Sequence, residues 1–346
     1  MSENAVSVLG LLHGSELGVT LPHEHLLIDF SCRYVPADDE TALAPQPSLA
    51  DRWRLLSRPA GYRPNLLGSE IESAVTECGH FVRAGGRTIV DLTGEGLGPD
   101  PEGLAEISRT TGLNIIAATG LYIDEALPKH LRSASLEELA DHLADEIETG
   151  GEAGIRRGAI GEIAIETATE VELKNVRAAA RAQQRTGAPC FLHVMSGILP
   201  GERPLAFDLV DLYAEEGGDL AKLVLCHQDG SGDDTDYQHA MLRKGLWFAY
   251  DTFGFEAVFA FGDSYIQLPT DTQRIREVKA LVNAGFGDQL LISQDICYQM
   301  MKRAWGGWGY AHILETLAPR FAAVGITAAG LQRLMVDNPR RLLCFA

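Results

Sequence analysis

The sequence lacks the marks of a membrane-bound or secreted protein. No stretch approaches the roughly 18 consecutive apolar residues that a membrane-spanning helix needs. The first ten residues, MSENAVSVLG, have neither the basic segment nor the long apolar core of a signal peptide. The six cysteines are scattered, with no C-x-x-C spacing, which indicates reduced thiols. We therefore expect a cytoplasmic protein with no membrane partner.

Positive charge and phosphate-binding motifs are also scarce. Against 48 Asp and Glu there are 29 Lys and Arg, a formal net charge of −19, which disfavours nucleic acid and anionic lipid as partners. The first apolar run is not followed by G-x-G-x-x-G, and the phosphate loop G-x-x-x-x-G-K-[ST] does not occur. The sequence thus predicts no nucleotide cofactor and gives little support to a dinucleotide-binding protein.

The 346 residues do contain eight short apolar runs that alternate with amphipathic stretches. Such runs are typical of strands buried on both faces, and the alternation favours parallel βαβ units. Eight units suit a (β/α)8 barrel, here as one domain over residues 1–346, although an open doubly wound sheet would alternate in the same way. The runs are Gly18–Phe30, Arg87–Thr93, Leu113–Gly120, Gly158–Ile165, Pro189–Val194, Leu223–His227, Gly245–Asp251 and Gln289–Asp295.

Helices are predicted between these runs, and two connections are unusually long. The clearest helix is Leu136–Thr149, which follows Ser135 as a predicted N-cap with Glu138 three residues later. Residues 31–68 and 253–270 extend the first and the seventh connection, and we expect them to cover the pocket. The other predicted helices are Glu170–Gln184, Leu205–Glu216, Asp271–Ala284 and Ala328–Leu343.

Metal-ligand side chains stand in or at the ends of five of the eight runs, and this placement favours the barrel over the open sheet. Taken alone, each could be a core histidine or a helix cap, but their recurrence is hard to explain by capping because buried imidazoles and carboxylates are costly unless paired or metal-bound. In a parallel barrel the carboxyl ends of the strands converge on one face. Six such ligands are too many for one zinc ion with an open position and suit two divalent ions. They are His23, His25, Glu162, His193, His227 and Asp295.

The order His-x-His, carboxylate, His, His, Asp resembles the amidohydrolase superfamily. More narrowly, the chain is similar to the phosphotriesterase family, and within it to the branch of phosphotriesterase-related proteins. The matching stretches run from about Leu17 to Leu343, so they cover essentially the whole chain. They are LGVTLPHEHLLIDF, NIIAATGLYID, RRGAIGEIAIE, LVLCHQD, LWFAYDTFGFE, LLISQDI, GGWGYAHIL and DNPRRLL.

The resemblance implies a role for each ligand. His23, His25 and Asp295 would hold the more buried metal ion, and His193 and His227 the more exposed one. Many relatives bridge the two ions with a carbamylated lysine, whereas this chain carries Glu162 in GEIA. No lysine carbamate is therefore expected. Zinc is the expected metal, while manganese, cobalt or iron would suit the same ligands.

The resemblance further implies a hydrolase in which a metal-bridging hydroxide attacks the substrate and Asp295 accepts its proton. Tyr122 stands where relatives have an aromatic pocket residue, and Asp229 is a candidate proton relay; each could instead be structural. Thr252 stands where relatives that act on organophosphates or lactones often have His or Arg. A small carboxylic ester, lactone or N-acyl amide is therefore the expected substrate. The alternatives are a phosphotriester or phosphoester hydrolase and a non-catalytic ligand-binding barrel; a homodimer would match many relatives.

Overall fold

Eight parallel strands form one sheet that nearly closes into a barrel, as predicted. The computed structural model describes residues 3–37, 47–194, 203–232, 234–261 and 264–346. The strands pair in chain order, and the first and last meet where the amide of His23 donates to Ser293 Oγ (3.1 Å) and that of Asp295 to the carbonyl of His23 (3.2 Å). We number them β1 Thr20–Glu24, β2 Thr88–Asp91, β3 Asn114–Leu121, β4 Ala159–Ile165, β5 Cys190–Val194, β6 Leu223–Leu225, β7 Trp247–Tyr250 and β8 Leu290–Ile292.

Helices lie between the strands where the amphipathic stretches predict them. Ser135 caps Leu136–Glu148 in a capping box with Glu138, because each side chain accepts from the backbone amide of the other residue. Gly187 ends Glu170–Thr186 in the left-handed conformation (φ 72°), which glycine adopts without steric cost. The α-helices are Arg52–Ser57, Ile71–Arg83, Pro101–Thr111, Lys129–Ser133, Leu136–Glu148, Glu170–Thr186, Arg203–Glu215, Thr235–Leu242, Asp271–Asn283, Ala318–Ala323, Ala328–Gln332 and Asn338–Leu343.

Two predicted elements are divided in the structure. The first apolar run forms β1 and then a separate short strand, Ile28–Asp29, which pairs with Leu67–Gly68. The predicted helix over 328–343 is interrupted by a π-helical turn at Arg333–Asp337. The physical reason is Pro339, whose nitrogen carries no proton and so has no hydrogen bond to donate to the preceding turn.

A barrel interior of apolar side chains closes the end opposite the strands' carboxyl ends. Alternate strand residues, such as Val90, Ile116 and Phe191, pack in one buried cluster with Leu12 and Leu342. Leu12 belongs to an amino-terminal hairpin, Asn4–Ser7 with Gly10–His13, and Leu342 to the final helix. This closure leaves the carboxyl face of the barrel as the end open to a site.

The long connections carry their own small elements. Within 31–68 lie the helix Arg52–Ser57 and the strand Leu67–Gly68, while residues 38–46 of this prediction lie outside the described residues. Within 253–270 a hairpin pairs Val258–Phe261 with Ser264–Gln267, and residues 262–263 lie outside the described residues. No helix among the described residues has the length and apolar character that crossing a membrane requires.

Candidate metal centre

The six predicted ligands come together at the carboxyl ends of five strands. His23, Glu162 and His193 lie within β1, β4 and β5, whereas His25, His227 and Asp295 follow β1, β6 and β8 by one to three residues. His227 (φ 59°) and Asp295 (φ 47°) adopt the left-handed backbone region, which is uncommon for residues with a side chain. Such strain is held in place by its surroundings and clusters at functional sites. Both backbones turn sharply at the point where their side chains reach the common centre.

Glu162 is the residue that joins the histidines. Its Oε1 lies 2.8 Å from His193 Nδ1, 3.2 Å from His23 Nε2 and 3.3 Å from His227 Nε2. Its Oε2 lies 3.7 Å from His25 Nε2. One carboxylate therefore contacts a histidine of the His-x-His pair and both histidines from β5 and β6.

Asp295 approaches the same centre from the end of β8, next to β1. Its Oδ1 is 3.2 Å from His25 Nε2 and 3.7 Å from His23 Nε2, and its Oδ2 is 4.0 Å from His227 Nδ1. The side chains of Asp295 and His193 keep 13% and 12% of their surface exposed, against 0–3% for the other four ligands. The centre is therefore reached from solvent past these two residues.

The other ring nitrogens of three histidines are fixed from behind. Nδ1 of His23 donates to Asp251 Oδ2 (2.7 Å), and Nδ1 of His227 donates to Asp251 Oδ1 (3.0 Å). Nδ1 of His25 hydrogen-bonds to Thr93 Oγ1 (2.9 Å). An ionised carboxylate only accepts, so the rings of His23 and His227 carry a proton on Nδ1 and turn Nε2 toward the centre. Metal-binding histidines are oriented in this way.

An orphaned nitrogen indicates that the centre fits a metal ion. Nε2 of His23 is buried and has no hydrogen-bond partner, which is costly unless another ligand takes its lone pair. Ligand atoms within 4.8 Å of one another form four groups among the described residues: His23, His25 and Glu162; His23, His227 and Asp295; Glu162, His193 and His227; and, behind the centre, His23, Cys226 and Asp251. Imidazole and carboxylate donors of this number are the set that zinc and similar divalent ions prefer. Glu162 belongs to two of the groups.

Opposed charges dominate the electrostatics of the centre. Burial alone would lower the pKa of His227, but Asp251 and Glu162 raise it to about 10. Burial alone would raise the pKa of Glu162, but His193 and His23 hold it well below its usual range. The carboxylates thus stay ionised in the interior because cationic histidines surround them. Divalent metal ions can replace the protons of these histidines and supply the same positive charge.

Asp229 lies behind the centre, where it supports the end of β7. It is fully buried, its Oδ1 accepts from the amide of Asp251 (3.0 Å), and its Oδ2 accepts from the amide of Thr252 (3.3 Å) and from Arg274 Nε (2.9 Å). Burial raises the pKa of Asp229 to about 6, against the opposing charge of Arg274. In this arrangement Asp229 positions Asp251, and its role as a proton relay stays a prediction.

Thr252 is also bound by Arg274, whose Nη2 donates to its Oγ1 (2.7 Å). A guanidinium from the helix Asp271–Asn283 therefore reaches Thr252, the position where the resemblance implies His or Arg in some relatives. It is fully buried and engaged by Asp229, Asp271 and the carbonyl of Phe255, so its charge is balanced within the protein.

Tyr122 packs beside the centre. Its ring meets that of His193 edge-on, with centroids 5.6 Å apart, and its hydroxyl accepts from Nε (3.3 Å) and Nη2 (3.2 Å) of Arg33. Burial raises the pKa of Tyr122, so the hydroxyl keeps its proton at neutral pH. The prediction that Tyr122 lines a pocket is compatible with this position.

Three residues of the site were not predicted from the sequence. Asp251 ends an apolar run before Thr252, where it looks like a loop residue, and Arg274 is one of several arginines on helices. Glu24 stands between His23 and His25 but points the other way, where it accepts from Ser293 Oγ (2.7 Å) and the amides of Gln294 (2.9 Å) and Ile296 (3.0 Å). Strand alternation alone could have signalled that Glu24 faces away from the two histidines.

Comparison with known proteins identifies the family of this chain. The profile of the phosphotriesterase family matches residues 3–343. A phosphotriesterase-related protein of Nematostella vectensis is 33% identical over 99% of this chain and 98% of its own, and an N-acetyltaurine hydrolase of Danio rerio is 33% identical over 98% and 97%. The crystal structure of a resiniferatoxin-binding protein from Rhodobacter sphaeroides superposes with a TM-score of 0.90 at 36% identity, over 99% of this chain and 95% of that one. The chain therefore belongs to the phosphotriesterase family and is a hydrolase of that family.

Proposed function

We propose that the protein is a binuclear metal-dependent hydrolase of a small carboxylic ester, lactone or N-acyl amide. The observation that carries the proposal is the placement of Glu162. Its Oε1 lies within 3.3 Å of ring nitrogens of His23, His193 and His227, and its Oε2 lies 3.7 Å from that of His25, so one carboxylate faces both pairs of histidines and can serve two ions at once.

The residues divide into two sets on this proposal. His23, His25 and Asp295 would hold the more buried ion, His193 and His227 would hold the more exposed one, and Glu162 would be shared between the two without a lysine carbamate. When bound, two divalent ions, with zinc as the expected metal, supply hydroxide at neutral pH and polarise the carbonyl or phosphoryl oxygen of the substrate.

The chain's own groups supply the proton chemistry. Asp295 is the partly exposed carboxylate of the centre, and the hydrogen bond from His25 overcomes the effect of burial and keeps its pKa below the usual value. It is thus ionised at neutral pH and ready to accept a proton and pass it to the leaving group. Tyr122 keeps its hydroxyl proton and borders His193, where it can donate to a substrate oxygen.

The expected substrate follows from the relatives and from residue 252. Relatives that are 33% identical over nearly the whole chain are named as N-acetyltaurine hydrolases, which favours an N-acyl amide. Thr252 offers no cationic group to a phosphoryl oxygen, and Arg274 beside it is engaged by buried carboxylates. Both observations make organophosphates the less favoured substrates.

A screen of the metal-reconstituted enzyme across N-acyl amides, lactones, carboxylic esters and aryl phosphotriesters tests the proposal. We expect the highest kcat/KM on an amide, ester or lactone, and a fall of more than roughly hundredfold in Asp295→Asn, because an amide cannot accept the proton. Faster turnover of phosphotriesters than of every carboxylic substrate would reassign the enzyme to phosphoester chemistry. No turnover of any class by a fully loaded enzyme would favour the non-catalytic barrel.

We further propose a small-molecule substrate as the partner of this site and a cytoplasmic location for the protein. All six cysteines are unpaired, and four of them are buried, which supports a reducing compartment. A homodimer stays a prediction from the resemblance.

A further inference from the structure

We propose that Arg33 binds an anionic group of the substrate, a carboxylate or sulfonate on the amine side of the scissile amide, and thereby sets the specificity of the site. This inference rests on the proposed function, because it names the class of amide that the same centre hydrolyses. It starts from Arg33, which the sequence analysis did not single out.

Three connections of the barrel meet at Arg33. The residue ends the short turn Ser31–Arg33 in the first connection, and its side chain reaches Tyr122, which follows β3, and Glu166, which follows β4. Its Cζ lies 5.3 Å from the centroid of the Tyr122 ring, whose edge in turn packs on His193. The guanidinium is thus separated from a predicted metal ligand by the width of one aromatic ring.

Arg33 lies on the solvent side of this stack. Tyr122 is 1% exposed, whereas the side chain of Arg33 is 24% exposed. A substrate that approaches His193 from solvent therefore meets Arg33.

The ion pair that Arg33 makes is one that an incoming anion can replace. Its Nη1 donates to Glu166 Oε2 (2.7 Å), but the Glu166 side chain is 41% exposed, and exposed ion pairs contribute little to stability. A guanidinium binds a carboxylate or sulfonate through parallel hydrogen bonds, so the substrate can take the place of Glu166. In a protein of net charge −19, a local cation is also what allows an anion to enter.

The aromatic neighbours suit a short chain between the anion and the amide. Phe30 packs against Tyr122 (6.1 Å between centroids) and Tyr298 (5.2 Å). They form an apolar wall next to the guanidinium, so a few methylene groups can lie on it while the acyl carbonyl faces the centre. The arrangement therefore favours small N-acyl amino acids and amino sulfonates over neutral amides.

Two variants with opposite expected effects test the proposal on the metal-reconstituted enzyme. The substrates are N-acetyl-β-alanine and N-acetyltaurine, with the uncharged N-acetyl-β-alaninamide for comparison. Arg33→Met should raise KM for both anions about tenfold to hundredfold, the value of a hydrogen bond to a charged group, and leave the amide within about twofold. Glu166→Gln should lower KM for the anions, because it removes the competing carboxylate, and leave the amide unchanged.

Arg63→Met is the matched control, since Arg63 lies in the same connection and stacks on Tyr34. It should change none of the three KM values, and circular dichroism and metal content should be the same for every variant. If Arg33→Met weakens charged and uncharged substrates alike, or Glu166→Gln weakens the anions as Arg33→Met does, the ion pair is structural and the proposal is wrong.

The failure of this inference can be told from failure of the proposed function. A wild-type enzyme that hydrolyses amides, esters or lactones with no preference for the anions overturns only the role of Arg33. If no substrate is turned over, calorimetry with N-acetyl-β-alanine decides the matter. If the wild type binds N-acetyl-β-alanine and Arg33→Met binds it at least tenfold more weakly, the anion site is supported. If the two proteins bind it equally well, or neither binds it, the proposal is overturned.

Discussion

Glu162 decides the electrostatics of the centre at the scale of single residues. Its carboxylate is 3% exposed and lies within 3.3 Å of nitrogen atoms from three histidines. A neutral side chain of the same size would keep the shape of the site but lose the negative charge that the two proposed cations would share. A substitution that removes only this charge therefore tests metal binding while the fold is kept.

In the variant Glu162→Gln we expect one bound metal ion or fewer per chain, against the two proposed for the wild type. Its activity should fall by more than roughly hundredfold, beyond the usual effect of residues that only support ligands. Elemental analysis and kcat/KM measure both effects. Glu148→Gln, at an exposed position of Leu136–Glu148, is the matched control and should behave as the wild type. Two bound ions and full activity in Glu162→Gln would contradict a bridging role.

Asp251 acts through the histidines that it orients. Asp251→Asn removes the negative charge and replaces one of the two oxygens that accept the Nδ1 protons of His23 and His227 by an N–H donor, so at least one ring loses its acceptor and can turn or change tautomer. We expect the affinity for the metal ions to fall about tenfold to hundredfold while both ions still bind at saturating concentration. Competition with a chromophoric chelator measures this, and an unchanged affinity would show that the rings need no such anchor.

A site residue could be predicted from the sequence where its own position is unusual for its residue type. Metal-ligand side chains inside apolar runs are conspicuous, which is why His23, His25, Glu162, His193, His227 and Asp295 could be found in the sequence. Asp251 and Arg274 could not, because each acts through a partner far away along the chain. Their importance depends on tertiary contacts that spacing does not encode.

At the scale of elements, the seventh connection is held to the barrel by Asp271, the first residue of Asp271–Asn283. Its Oδ1 accepts from the amide of Gly254 (2.8 Å) and from Arg274 Nη1 (3.2 Å), and its Oδ2 is bound by His312 Nε2 (2.7 Å). Burial would raise the pKa of Asp271, but His312 and the other donors bring it below the usual value. The carboxylate therefore links the seventh and eighth connections in its ionised form.

Asp271→Asn should lower the free energy of unfolding of the metal-free protein by about 1–3 kcal/mol at pH 7, the cost of leaving buried donors unpaired. The pKa of Asp271 is lower in the folded chain than in the unfolded chain. This stabilisation is therefore complete above the pKa of the unfolded chain, ~3.9, and is lost as the pH falls through the lower pKa of the folded chain.

Urea unfolding of both proteins between pH 7 and pH 3 measures the difference, which should shrink in acid. Asp208→Asn, at an exposed position of Arg203–Glu215, should show no comparable loss at any pH. A difference for Asp271→Asn that grows in acid would contradict the assignment.

The elements themselves were largely predictable, because buried parallel strands and amphipathic helices have distinct periods. The ends of the strands and helices were less predictable. β1 stops at Glu24 while the apolar pattern continues to Phe30, since the chain there leaves the barrel to pair with Leu67–Gly68. Pro339 likewise divides the last amphipathic stretch, although its apolar spacing is continuous.

At the scale of the whole molecule, alternation of strands and helices could predict parallel βαβ units but not the closing of the sheet. Closure is visible where the backbone of His23 meets Ser293 and Asp295, two contacts between the first and last strands. The same closure brings His23 and His25 to Asp295. The predicted ligand set was thus itself the best argument for a barrel, since an open sheet would leave the two ends of the set far apart.

The most direct measurement of the central claim is a titration of the metal-free protein with zinc in bicarbonate-free buffer, with bound zinc and hydrolysis of an N-acyl amide or lactone followed together. The account predicts that activity rises until two ions are bound per chain, and that added bicarbonate changes neither the endpoint nor the rate because Glu162 needs no carbamylation. Full activity with no ion or with one ion bound, or activity that depends on bicarbonate, would contradict it.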